Sequence, residues 1–300
     1  MLAILSLLFN LPYPILSLQC IPIHASMAEP LILVTGSTDG IGKAAATALT
    51  QGGADVILHG RNEKKGRRIQ RELETITGSH ADLVIADYSG QDQIRFMAAD
   101  LIARYTRLDV LINNVGTYQK TRHVTKDGTE MTFAVNFLGP FLLTHLLLPL
   151  LKKSSGARIV TVASSAHEDV DRIDWEDLPQ GRQYDPWGAY ALSKFADITF
   201  TYTLARNLEG SGVTANCLHP GIVDTKLLRS SFPGIPAITP KEAAKMPVWL
   251  ALSPEVAGIS GKYFDAMHPV RSSAMTYDRG VQERLWKMAE ELTGLSREGR

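Results

Sequence analysis

From Pro30 onward, short apolar runs alternate with longer stretches of helical composition. This alternation limits the chain to one kind of architecture. Residues 31–35 are an apolar run that ends at Gly36 and reads as a buried strand. The Ala-rich stretch 41–51 follows as a helix and stops at Gly52-Gly53. The pattern then repeats: a strand over 54–59, a charged helix over 62–77, a strand over 81–86, a helix over 91–105 and a strand over 108–113. Residues 128–151 are apolar on most faces and read as a buried helix. Strands over 158–163, 213–218 and 262–264, with a helix over 189–209, complete the series. Such a series predicts a single α/β domain: a doubly wound, Rossmann-type parallel sheet of seven strands with helices on both faces. Ligands on such sheets lie beyond the carboxyl ends of the strands.

The first of those carboxyl ends carries a glycine-rich turn, Thr35-Gly36-Ser37-Thr38-Asp39-Gly40-Ile41-Gly42. Glycines at 36, 40 and 42 permit a tight turn and let backbone approach a pyrophosphate. The following helix offers amides and a positive dipole end to phosphates. A glycine triplet alone is weak, but its place after the first strand makes it a dinucleotide signal, and residues 36–42 are its cofactor-facing set. At the end of the second strand, the position that carries Asp or Glu in NAD sites is Gly60, followed by Arg61. A guanidinium suits a 2′-phosphate, so the reading is NADP(H) in preference to NAD(H). Asp87, just past the third strand, is placed to accept from the adenine amino group or to cap the next helix.

Farther along is Tyr190-Ala-Leu-Ser-Lys194. Residues four apart on a helix share a face. An ammonium beside a phenol favours the phenolate, which makes a tyrosine usable as an acid or base at neutral pH. Alone this pair is common; downstream of the glycine-rich turn it points to hydride chemistry.

Bulk properties narrow the field. The formal net charge is zero and no basic stripe appears, so nucleic acid is not an expected partner. The cluster Lys64, Lys65, Arg67, Arg68 and Arg71 reads as the solvated face of a helix. Two cysteines, Cys20 and Cys217, exclude a disulfide framework and a cysteine zinc site, and fit a reducing compartment. No cluster has metal-ligand spacing, so no metal is expected. Residues 1–26 hold no Lys, Arg, Asp or Glu and are broken by Pro12, Pro14 and Pro22. They lack the basic start of a secretory signal and the unbroken length of a membrane span. They read either as a weak membrane-associating leader or as residues before the true start at Met27. Met27-Ala-Glu-Pro leads straight into the first strand, which favours the second reading. The expectation is one catalytic domain over 27–300, cytoplasmic, with membrane association through the leader as the alternative.

The ordered set of residues 35–42, Asp87, Asn113-Asn-Val-Gly116, Asn136, Ser165, Tyr190/Lys194 and Pro220-Gly221 resembles the short-chain dehydrogenase/reductase family over residues 30–264. The resemblance implies roles. Tyr190 would exchange a proton with the substrate oxygen, and Lys194 would lower its pKa and hold the nicotinamide ribose. Ser165, chosen over Ser164, would hydrogen-bond the substrate oxygen, and Asn136 would anchor a relay water. Asn113 to Gly116 would line the adenosine side and brace the sheet. Pro220 to Thr225 would be the loop after the sixth strand, with Pro220 and Gly221 on the cofactor and Ile222 and Thr225 near the carboxamide. The family admits a monomer or a homodimer.

The interval between Ser165 and Tyr190 is longer than in many members, and residues 166–188 carry His167, Trp175, Tyr184 and Trp187. With Gly261-Lys-Tyr-Phe264, Leu285-Trp286 and Leu292-Thr-Gly-Leu295, this resembles the retinol-dehydrogenase-like branch. That implies a lipophilic aldehyde or ketone, retinal-like, as substrate. The stretch 226–240, with Leu227, Leu228, Phe232, Pro233, Ile235 and Pro236, reads either as an apolar lid over the substrate or as a surface loop packed on its own helix. His167 reads as a structural hydrogen-bonding residue rather than a substrate contact. Two other functions compete: a non-catalytic dinucleotide sensor, against which the intact Tyr190/Lys194 pair argues, and light-dependent tetrapyrrole reduction of the protochlorophyllide-reductase kind.

Overall fold

A computed structural model describes residues 29–78, 80–178 and 181–295. The leader at 1–26, Cys20 and the Met27 start lie outside the described residues. The sheet order is β3-β2-β1-β4-β5-β6-β7-β8. Its strands are β1 (Leu31–Val34), β2 (Asp55–Gly60), β3 (Asp82–Ile85), β4 (Val110–Asn113), β5 (Arg158–Val162), β6 (Thr214–Leu218), β7 (Tyr263–Asp265) and β8 (His268–Val270). The first seven run parallel, and β8 folds back antiparallel on β7.

The described sheet therefore has eight strands, where the sequence pattern predicts seven. The extra strand follows a two-residue turn, Ala266-Met267, with φ of 46° and 65°. Hairpins of this kind favour Asn-Gly or Asp-Gly, whose left-handed backbone carries little strain. Ala-Met carries no such signal, so the turn is imposed by the pairing around it.

The helices are α1 (Gly40–Gln51), α2 (Glu63–Thr77), α3 (Gln91–Arg104), α4 (Met131–Phe133), α5 (Gly139–Leu151), α6 (Pro186–Asn207), α7 (Lys226–Ser231), α8 (Pro240–Leu252) and α9 (Arg279–Thr293). Side chains close several amino ends: Asp39 on α1, Asn62 on α2, Asp185 on α6 and Asp278 on α9. The sequence pattern missed α8, whose periodicity is interrupted by Pro247, and α9. Between α4 and α5 the helix widens into a π turn over Ala134–Leu138. The continuous helical stretch Met131–Leu151 is long and apolar enough to cross a membrane by composition. Here it is mostly buried against the sheet, with Phe137, Phe141, Leu142 and Leu147 almost fully enclosed. It is a core helix in this fold.

The two faces of the sheet hold separate cores. One gathers α3, α5, α6 and α9 around Leu33, Leu111, Phe141 and Phe200. The other places α1, α2 and α8 over Ile32, Val34, Ile112 and Val160. Alternate strand residues feed opposite faces, as strand geometry requires. This three-layer arrangement brings the carboxyl ends of β1, β2, β4, β5 and β6 to one edge.

Candidate active site

At that edge the glycine-rich turn is held from three sides. Gly36 and Gly40 have φ of 67° and 50°, values that favour glycine. At Gly42 a Cβ would lie 2.4 Å from Asn114 Nδ2 and 2.5 Å from Gly36 O, so α1 presses against the turn. Asn114 Nδ2 donates to Thr35 O at 2.8 Å, and Asn114 N donates to Thr35 Oγ1 at 2.9 Å. From the other side, His59 Nδ1 accepts from Gly36 N at 3.0 Å. His59 Nε2 lies 3.1 Å from Ala86 O, a group that only accepts. The imidazole proton therefore sits on Nε2, and burial pushes the His59 pKa down to about 4. Ser37 Oγ accepts from His59 N at 2.8 Å. The Ser37 side chain thus faces β2 and works as a staple.

What the turn offers a ligand is the close backbone of Gly36, Gly40 and Gly42 at the amino end of α1. Asp39 Oδ1 accepts from Gly40 N at 2.9 Å, and its Oδ2 pairs with Lys65 Nζ at 2.5 Å. The Lys65 hydrogen bond lowers the Asp39 pKa. A cradle in which a Cβ would collide, beside a helix amino terminus, fits the pyrophosphate of a dinucleotide.

At Gly60 a Cβ would lie 2.5 Å from Thr38 Cγ2, so a side chain there would require Thr38 to shift. Arg61 next to it is exposed, and Asn62 caps α2 through Lys65 N at 2.9 Å. Asp87 Oδ1 accepts from Ser89 N at 2.9 Å, while the residue capping α3 is Gly90. Asp87 is a turn residue. Asn113 is buried and donates to Thr144 Oγ1 at 3.0 Å, so its side chain braces β4 against α5 and does not face the cleft. Gly116 is exposed, with Asn136 Oδ1 3.9 Å from the place of a Cβ.

Asn136 lies in the π turn and is almost fully buried. Its Oδ1 accepts from Thr117 N at 2.7 Å, and its Nδ2 donates to Thr117 O at 3.0 Å and Ser193 Oγ at 2.9 Å. Ser193 Oγ in turn donates to Tyr190 O at 2.7 Å. The amide links the loop after β4 to the turn of α6 that carries Tyr190, and its Oδ1 has one lone pair beyond the bond from Thr117 N. Single-turn π segments recur at functional sites.

Lys194 is buried beneath, where Nζ donates to Val162 O at 2.8 Å and to Asp197 Oδ2 at 2.9 Å. Tyr190 is half-buried in a wall of rings. Tyr118 and Trp187 lie 5.8 and 6.0 Å from it, and Phe232 touches both, at 5.0 and 5.7 Å. Both serines of the β5 end are at the site's edge. Ser164 is half-buried and its Oγ accepts from Ala166 N at 3.2 Å; Ser165 is exposed, and its backbone N donates to His219 Nδ1 at 3.1 Å.

His167 is fully enclosed. Its Nδ1 donates to Ser164 O at 2.7 Å and its Nε2 accepts from Ser273 N at 3.1 Å, which is a structural role. After β6, Pro220 and Gly221 (φ 84°) turn the chain, Ile222 is exposed, and Thr225 caps α7. A Cβ at Gly40 would sit 3.2 Å from Thr225 Cγ2, so the start of α7 packs on the glycine-rich turn. Three residues that shape the site have no role assigned from the sequence: His59, Tyr118 and Asp197. His59 and Tyr118 act through contacts between elements distant in sequence, and Asp197 through its burial beside Lys194.

The sequence model of the short chain dehydrogenase family matches residues 30–235. Human retinol dehydrogenase 13 is 38% identical over 292 residues, covering 91% of this chain and 87% of that protein. Human polyprenol dehydrogenase is 35% identical over 291 residues, covering 91% and 88%. A short chain dehydrogenase from Shigella flexneri 2a, solved with NADP, aligns with a TM-score of 0.67 at 30% identity, covering 80% of this chain and 97% of its own. The glycine-rich cradle, the Tyr190/Lys194 pair and these similarities agree, and the chain belongs to the short-chain dehydrogenase family, in its retinol-dehydrogenase-like branch.

Proposed function

We propose that this protein interconverts a carbonyl and an alcohol on a lipophilic, retinal-like aldehyde or ketone, with NADP(H) in preference to NAD(H). The observation that carries this reading is Tyr190, set in an aromatic wall with the buried Lys194 ammonium on the same helix. The nicotinamide supplies the hydride for reduction and takes it in the reverse direction. Residues 36–42 hold the pyrophosphate side, with Ser37 stapling that turn from behind; Arg61 holds a 2′-phosphate and Asp87 meets the adenine. Pro220, Gly221, Ile222 and Thr225 close over the carboxamide end.

Hydride arrival at a carbonyl builds negative charge on oxygen. Tyr190 delivers the proton to that oxygen, and recovers it in oxidation. A serine hydroxyl at the end of β5 holds the same oxygen in place. The sequence assigns that hydroxyl to Ser165. Ser164 is a second reading, favoured by its half-buried position directly beyond the strand. Asn136 holds the loop beside Lys194 and keeps a lone pair for a relay water. The rings of Tyr118, Trp187 and Phe232 exclude water and suit a lipophilic chain. The names of the retinol and polyprenol dehydrogenases support this substrate class. We place the reaction in the cytoplasm, with one copy or a pair of copies of the chain.

The test is NADPH consumption against long-chain and isoprenoid aldehydes, ketones and quinones, with NADH in parallel. Tyr190→Phe is expected to lower kcat by roughly 10²–10⁴ while NADPH still binds. Full turnover by that variant would end the mechanism. NADPH binding without turnover on any carbonyl would favour a dinucleotide sensor. A co-purifying pigment with light-dependent NADPH use would favour tetrapyrrole reduction. Ser165→Ala and Ser164→Ala, measured side by side, assign the hydroxyl.

A further inference from the structure

The ammonium of Lys194 has a partner that the mechanism above does not use. The Lys194 and Asp197 side chains are only 5% and 1% exposed, and they meet at 2.9 Å. They lie three apart on α6, a spacing that puts them on one helix face. Lysine has three donors. Val162 O and Asp197 Oδ2 take two of them, so the direction of the third N–H is set. An ammonium at this depth without a counter-charge is costly, and the carboxylate offsets that cost. The same carboxylate also cancels part of the positive field that Lys194 exerts on its surroundings, Tyr190 included.

The groups facing Asp197 come from two elements. On α6 they are Lys194 and, through it, Tyr190. From β6 comes Cys217, whose thiol burial pushes far up, so it stays neutral. The second carboxylate oxygen, Asp197 Oδ1, has no hydrogen-bond partner among the described residues. Nothing but Lys194 therefore holds the charge in place.

Taking the Tyr190 mechanism as given, we infer that Asp197 is a positioning residue of the reaction: it aims Lys194 and sets how much positive charge reaches Tyr190. Burial raises the Asp197 carboxyl to about 6, so this balance changes as pH passes that value. Below that pH the carboxyl is neutral and Lys194 acts with its full charge. Above it, the pair is close to neutral.

The variant Asp197→Asn separates the two roles, because its side-chain amide still accepts from Lys194 but carries no charge. In Asp197→Asn, the acid limb of kcat/KM for alcohol oxidation should move to lower pH by about one unit, since an unscreened cation favours the deprotonated phenol. The KM for NADP should stay within about threefold of the parent, because the amide oxygen still accepts from Lys194 where the carboxylate did. The inflection near pH 6 in the parent profile should vanish. Asp197→Ala, which loses both roles, should also raise the KM for NADP. Should the asparagine variant not fold, judged by its melting profile, Asp197→Ser keeps an uncharged acceptor and takes its place.

A pH profile that is unmoved, or that moves to higher pH, overturns the inference. Tyr190→Phe run alongside separates the two failures. If it is active, the mechanism itself falls. If it is inactive while the Asp197→Asn profile is unmoved, only the role of Asp197 falls.

Discussion

Under the proposed function, the adjacent residues Gly60 and Arg61 favour the same cofactor. Gly60 offers no carboxylate to a ribose hydroxyl, and a Cβ there, 2.5 Å from Thr38 Cγ2, would require Thr38 to shift. Arg61 is exposed at the same edge, where the proposal has it grip a phosphate. Arg61→Ala is therefore expected to raise the KM for NADPH by about 10- to 100-fold, matching the ~1.5–3 kcal/mol of a hydrogen bond to a charged group. The KM for NADH should change little. Parallel steady-state kinetics check this, and an equal rise for both cofactors would mean that Arg61 acts through the fold instead. The places of Gly60 and Arg61 at the end of β2, and of Tyr190 and Lys194 one turn apart on a helix, were legible in the sequence because they follow from local pattern and spacing. His59 was not. A histidine in an apolar strand has no signature, and its role arises where β2 meets the turn after β1, through the Gly36 and Ala86 contacts. Asn113 and Asn114 show the same limit. Adjacent and identical, they face opposite ways: Asn113 toward α5 and Asn114 into the glycine-rich turn.

Among elements, the segment after β6 differs most from its sequence reading. The stretch 226–240 reads as an apolar loop; the structure builds α7 into it, with Thr225 as cap and the carboxyl end at Phe232. Two contacts dock it: Thr225 on Gly40, and Phe232 on Tyr118 and Trp187. The base is pinned by a bridge between Val223 and Ile238. Phe232→Ala removes the ring that joins the walls of the cleft. It is expected to lower kcat/KM for a long isoprenoid aldehyde by about tenfold, as the loss of one aromatic contact of ~0.5–1.5 kcal/mol implies. A short aldehyde should be nearly unaffected, because it does not reach the ring. Equal losses on both substrates would place Phe232 in the packing of α7 alone. The long loop before α6 has a comparable anchor, since Tyr184 Oη donates to Gln119 O at 2.7 Å and ties the loop to the segment after β4.

Over the whole molecule, buried histidines set the response to acid. Burial lowers the pKa values of His59, His145, His167 and His219. A histidine held neutral in the fold takes up a proton more readily once unfolded. Stability is therefore lost as pH falls from about 6.5 toward the folded-state value. For His59, whose folded pKa is about 4, the loss approaches ~3 kcal/mol. Asp197 acts in the opposite sense, because its raised pKa adds stability that is present at low pH and lost as pH rises toward 6. Four groups outweigh one, so the melting temperature should climb between pH 4.5 and 6.5. His59→Gln should flatten that climb. Melting curves across this pH range test it, and a flat profile for the parent protein would contradict it.

The sequence by itself determined the alternation of strands and helices, the cofactor cradle and the Tyr190/Lys194 pair, because these depend on local periodicity and on residues within a few positions of each other. Tertiary structure alone decided the rest. It added β8 through pairing that overrides an unfavourable Ala266-Met267 turn. It placed Met131–Leu151 as a core helix by covering it with α3, α6 and α9. It set Tyr118, Trp187 and Phe232 around Tyr190. It also buried Asp197 against Lys194. Each of these depends on burial or on contacts between distant segments, and neither quantity exists until the chain has closed on itself.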